Sequence, residues 1–180
     1  MPVNYSPQLV LLLLLAMHLA VAVYWDVRER RVPNKVVLSG LLTALTFHAV
    51  VSGWAGLGMA FAGALTGLLV LLPVNLLRLM GAGDVKLMAM AGAFGGSPQA
   101  GLWMVLYTLL AGGLLVALYA AKGRVREKLA GNLFIMLKLG PSELDAGGEK
   151  KANKLQTAAR LPYAAAIACG SLGYLLFSLS

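Results

Sequence analysis

The sequence predicts an all-α, polytopic membrane protein of about six transmembrane helices with both termini outside. Three observations predict it. The 180 residues are 59% hydrophobic and 12% charged, whereas a soluble domain is about half apolar and a quarter charged. Several apolar runs approach the ~20 residues that span a ~30 Å hydrocarbon core. Lipid offers no partner to backbone polar groups, so such runs are helices. Finally, all fifteen Lys and Arg residues fall on one side of the membrane when these runs alternate across it.

The elements follow in order. The first run, Gln8–Trp25, resembles a signal peptide in hydropathy. No Lys or Arg precedes it, and Asp26-Val27-Arg28 follows it in place of a small-residue cleavage site, so it reads as a retained helix. Val36–Val51 is the second run, and Leu57–Leu77 the third, with a kink expected at Pro73. Val85–Phe94 is a short fourth run rich in Ala, Met and Gly, suited to close packing or to a re-entrant element. Gln99–Ala121 and Leu161–Leu179 complete the set. Residues 122–160 form a basic cytoplasmic loop. Within it Leu129–Leu139, bracketed by Lys128 and Lys138, reads as an interfacial helix. Gly140–Asn153 reads as a mobile loop. No repeat or separate soluble domain is evident, so residues 1–180 read as one transmembrane domain.

The net charge of +8 does not point to nucleic acid, because the charges lie between apolar runs. One cysteine, Cys169, excludes an intrachain disulfide and a cysteine-cluster zinc site, and reads as a small packing residue. No metal or cofactor is expected. His18 and His48 lie towards the middle or outer part of their helices and read as interior or interfacial residues. Tyr24 and Trp25 read as interface anchors.

Five of the seven acidic residues lie among basic ones in the inner loops. Asp26 and Asp84 differ. Asp26 ends the first run; Asp84 opens the fourth inside Gly81-Ala82-Gly83-Asp84. The topology puts both carboxylates at one membrane depth on one side, where an ionisable group is costly and function is the default reading. A structural reading stands beside it. Asp84 would cap a helix N-terminus, and Asp26 would pair with Arg28 or Arg30. The glycines allow a sharp turn and close approach of another backbone. Two adjacent carboxylates tend to hold one proton, so one acts as general base on water and the other as general acid. Two other classes fit less well. A proton- or ion-coupled transporter predicts midplane carboxylates and a repeat. A non-catalytic membrane assembly factor would use the aspartates only as caps.

Three stretches resemble the type IV prepilin peptidases, membrane aspartic peptidases with a Gly-x-Gly-Asp motif, and most of all their short form in tight-adherence (Flp-type) pilus systems. They are Asp26-Val27-Arg28-Glu29-Arg30-Arg31-Val32-Pro33-Asn34, Gly81-Ala82-Gly83-Asp84-Val85-Lys86-Leu87, and Leu161-Pro162-Tyr163-Ala164-Ala165-Ala166-Ile167-Ala168. In the last, Ala164 stands where the family usually has Gly. The resemblance implies catalysis by Asp26 and Asp84. It also implies removal of a prepilin leader just after a glycine, at the cytoplasmic face of the inner membrane, with the substrate's apolar helix in the lipid. Longer relatives add a cysteine-rich zinc domain and N-methylate the product. This chain begins with a helix and has one cysteine, so peptidase activity without methylation is expected. Gly81, Gly83, Lys86, Pro33, Asn34, Pro162 and Tyr163 are the expected supporting or substrate-contacting residues. Pro33 and Asn34 are expected to stop the turn and cap the second helix. Lys86 is expected to tune Asp84, touch substrate or snorkel. Arg28, Arg30 and Arg31 are explained by topology or by attraction of acidic substrate or lipid. The partners implied are a prepilin and membrane lipid.

Overall fold

The computed structural model describes residues 7–29, 31–76, 80–121 and 163–179. They form five helices: α1 (Pro7–Glu29), α2 (Asn34–Leu76), α3 (Ala82–Gly95), α4 (Pro98–Ala121) and α5 (Tyr163–Leu179). The expected interfacial helix over 129–139 and the loop after it lie outside the described residues. Residues 1–112 and 162–180 make one compact unit. The last turns of α4, from residue 113, belong to a second.

α2 is a helical hairpin. Straight, its 43 residues would rise about 65 Å, twice the hydrocarbon thickness. Gly53 leaves helical dihedrals at φ 63°, ψ −153°, a conformation open mainly to glycine. Beyond it Gly56 lies against the carbonyl of His48 and the side chain of Ser52. The two arms then pack on α3 in opposite senses. Gly40 meets Met90 and His48 meets Gly96 on the way out; Gly63 meets Gly92 and Gly67 meets Met88 on the way back. The expected second and third helices are therefore both present. They are joined at one residue, Gly53, instead of the loop expected between 51 and 57, and Pro73 lies inside the second arm.

α3 is the hub. Val85 and every residue from Leu87 to Phe94 are buried. They pack among Leu15 and Leu19 of α1, Leu71 of α2, Met104 and Val105 of α4 and Ile167 of α5. α3 stops at Gly96, whose left-handed conformation (φ 67°) lets its N–H reach the Ala93 carbonyl at 3.1 Å. α4 starts at once. Ser97 Oγ accepts from the Ala100 N–H at 3.1 Å, with Pro98 in the first helical position.

The outer surface is apolar, with Leu13, Trp54, Leu110 and Phe177 all exposed. α1, α2 and α4 are long and apolar enough to cross a membrane. α5 is a shorter apolar helix, and α3, at 14 residues, is shorter still. Together these make a helical membrane protein. Cys169 is exposed on α5 and not packed as expected, because that helix turns Ala166, Ile167 and Gly170 inward. Both histidines converge on Phe94. His18 Nδ1 lies 2.8 Å from the Leu14 carbonyl and so donates, with its ring 5.9 Å from that of Phe94. His48 Nε2 lies 3.4 Å from the Phe94 carbonyl. They sit about 15 Å of helix rise from Asp84, clear of the aspartates as the sequence implies.

Candidate active site

α1 continues as helix through Asp26 to Glu29, which fixes Asp26 in its last turns. Arg28 turns back instead of pairing with it: its Nη1 donates to Tyr24 Oη at 2.6 Å, and the guanidinium stands 6.0 Å from the ring centre. Among the described residues Asp26 has a different partner. Its Oδ2 accepts from the backbone N–H of Ala164, in the first turn of α5, at 3.3 Å.

The turn after α1 ends at Pro33. Its carbonyl accepts from the Val36 and Val37 N–H groups at 3.0 and 3.4 Å, which makes it the residue that opens α2. Asn34 was expected to share that capping role. It is already the first helical residue, one position too far along to cap. Its Oδ1 instead accepts from Lys86 Nζ at 3.3 Å. Lys86 thus ties the start of α3 to the start of α2.

Asp84 stands third in α3, behind Gly81 in extended backbone (φ −69°, ψ 143°). The Gly81 carbonyl accepts from the N–H groups of Asp84 and Val85 at 3.1 and 3.4 Å. The carboxyl therefore occupies a favourable place near the positive end of the helix. It lies just ahead of the buried stretch Val85–Phe94. Burial pushes it up from 3.8 to about 6, the Asp26 charge adds to the rise, and the Gly81 N–H draws it partly back. Gly81 leaves little room: a Cβ there would stand 3.2 Å from Asp84 Oδ2. Gly83 is open, its nearest neighbour being Val32 at 3.9 Å.

Asp26, Asp84, Gly81, Gly83, Lys86 and Asn34 line one cleft of about 260 Å³. Arg31 and Val32 complete its lining. Pro33 is adjacent in sequence but does not line it, and Pro162 lies outside the described residues. Tyr163 begins α5 with its ring over Gly112 of α4, where a Cβ would meet its hydroxyl at 2.9 Å. Sequence reasoning missed two participants. Val32 has no chemical signature. The Ala164 donor is a backbone group, and only the neighbouring Pro-Tyr hinted at it. Among the described residues no group of three His, Cys, Asp or Glu side chains is placed to hold a metal.

The arrangement offers two carboxyls of unequal environment, one held high, beside an open glycine turn. That is the equipment for activating water against a backbone carbonyl. The chain matches the type IV leader peptidase family over residues 13–121, a stretch that contains both aspartates and α2 through α4. It belongs to that family. This member is therefore a peptidase, and its apolar helices place it among membrane proteins. No curated protein and no solved structure matches it significantly.

Proposed function

We propose that the protein is an aspartic endopeptidase that removes the leader peptide of type IV prepilins of the Flp type. The cut falls just after a glycine at the cytoplasmic face of the inner membrane. The proposed topology is six spans, with both arms of α2 crossing and both termini outside. Asp26 and Asp84 are the catalytic pair. The observation that carries this reading is that two carboxyls from separate helices line one cleft beside Gly81 and Gly83.

The chemistry closes on itself. The anionic carboxylate takes a proton from water, and the hydroxide adds to the scissile carbonyl carbon. The protonated carboxyl gives its proton to the carbonyl oxygen. The resulting diol collapses: one hydroxyl proton returns to the second aspartate, the C–N bond breaks, and the first aspartate protonates the departing amine. Both residues end as they began. Gly81 and Gly83 give an extended substrate backbone access, and the apolar outer faces leave its helix in lipid. With one cysteine in the chain, the reading includes no methyl transfer.

Co-expression with a Flp-type prepilin tests it. Wild type should release the leader, and Asp26→Asn and Asp84→Asn should each abolish release while remaining folded in the membrane. Cleavage by either variant would overturn the two-aspartate mechanism.

A further inference from the structure

Arg28, Arg31, Lys35 and Lys86 are the basic residues among those described, and they divide by position. Arg28 turns back onto Tyr24, and Lys35 does not line the cleft. Arg31 and Lys86 do line it, in company with Asp26 and Asp84. The charge rule for membrane loops explains cations near an inner membrane face. It does not explain two of them in the cleft itself.

Neither cation is engaged by the carboxyls. Lys86 stands two residues beyond Asp84, and positions i and i+2 of a helix do not face each other. Its Nζ donates to the neutral Oδ1 of Asn34 at 3.3 Å, an exposed contact that uses one of three donors. Asp26 takes the Ala164 N–H. Among the described residues no ion pair joins Arg31 or Lys86 to either carboxyl. Arg31 comes from the turn before α2, three positions ahead of Asn34. That spacing is a backbone reach of at most about 11 Å, so the long Arg31 side chain and the held Lys86 ammonium can meet one ligand.

Charge gives the sign of that ligand. Two carboxyls that share one proton carry one negative charge. Two cations then leave one positive charge in surplus, which a single carboxylate would balance.

We infer that Arg31 and Lys86 form a subsite for one acidic side chain of the substrate, within a few residues of the scissile bond. The inference rests on the aspartate-pair reading and deepens it. The planar guanidinium of Arg31 suits a carboxylate in bidentate fashion, and Lys86 adds a point charge. The cleft holds about 260 Å³ and the same space serves both aspartates, so the acid it accepts is one close to the cut. A lipid phosphate has the same sign, but in this cleft it would take the space that the scissile peptide itself needs.

Paired synthetic Flp-type prepilin peptides test it. The two members differ only in carrying Glu or Gln at one position, and that position is moved along the residues flanking the scissile glycine. Cleavage is measured in phosphatidylcholine vesicles with and without phosphatidylglycerol. At one position wild type should cleave the Glu peptide with a KM about 3- to 10-fold below that of its Gln twin, with kcat little changed. In the Arg31→Gln, Lys86→Gln double variant that ratio should fall to about one. Lys86→Glu should turn the preference toward a peptide with Lys at the same position. Each ratio compares two peptides on one enzyme, so partial misfolding of a variant does not shift it, and the wild-type comparison needs no variant at all. Equal KM values at every position overturn the inference, as does a Glu preference that survives in the double variant. A variant effect equal for both peptides and confined to vesicles with phosphatidylglycerol also overturns it, and makes the two cations a lipid site. Failure of the peptidase reading would show separately, as no cleavage of any peptide or as cleavage by Asp26→Asn or Asp84→Asn.

Discussion

Gly63 of α2 and Gly92 of α3 lie back to back, so that a methyl group on either would run into the carbonyl oxygen of the other. The obstacle is backbone and cannot swing aside. Gly63→Ala and Gly92→Ala should each destabilise the protein by about 1–3 kcal/mol, the usual range for overpacking. Thermal unfolding in detergent measures it. Gly58→Ala, with open space around its Cβ, should be neutral or gain up to about 1 kcal/mol from helix propensity.

Gly53 and Gly96 separate two kinds of glycine requirement. Both have positive φ, yet Gly53 has nothing within 4 Å of a Cβ while Gly96 faces the His48 ring. Gly53→Ala should cost only backbone strain, about 1–3 kcal/mol, because φ 63°, ψ −153° is essentially closed to other residues. Gly96→Ala, at milder left-handed dihedrals, should add a steric cost, because the ring that lies beside the Phe94 carbonyl must also move. Adding His48→Ala to Gly96→Ala should recover part of that steric cost, as a double-mutant cycle would read.

Asp84 gives stability an inverted pH dependence. Its folded value, about 6, lies above its ordinary 3.8. Between these limits the folded state binds more protons than the unfolded state, so stability falls as pH rises through the window and then levels off. This is opposite to a salt-bridged carboxylate. Asp84→Asn should flatten the decline and leave the protein about 1–3 kcal/mol more stable than wild type near neutral pH. Melting curves across that range would reveal it.

The Lys86–Asn34 hydrogen bond is exposed, so its loss should cost under about 1 kcal/mol. Asn34→Ala and Lys86→Ala should be non-additive in stability. If Lys86 were instead a free surface cation, the two effects would simply add.

The meeting of Asp26 and Asp84 in one cleft was more legible in the sequence than the architecture. Asp26 and Asp84 stood out because carboxylates beside apolar runs are costly, and a glycine turn around one of them is an unusual local pattern. The hairpin was legible as two runs but not as a joint. Hydropathy sees a polar gap, whereas the reversal needs only one residue at positive φ, Gly53. Lys86 and Asn34 were read as separate accessories because nothing local links positions 52 apart in sequence. Cys169 was misread for a similar reason: an apolar run does not reveal which of its faces meets protein and which meets lipid. The Ala164 donor was invisible in principle, since every residue but proline carries the same N–H.

α3 has one further consequence. Its 14 residues rise about 21 Å, some 9 Å short of a typical hydrocarbon core. Most of it is sheathed by neighbouring helices, so lipid does not sense the deficit and has no reason to thin around it. The end that carries Asp84 is the polar one, and the cleft that Asp26 and Asp84 line lies there. In the proposed reaction a helix that stops early leaves room at that end for water, the co-substrate of any hydrolysis.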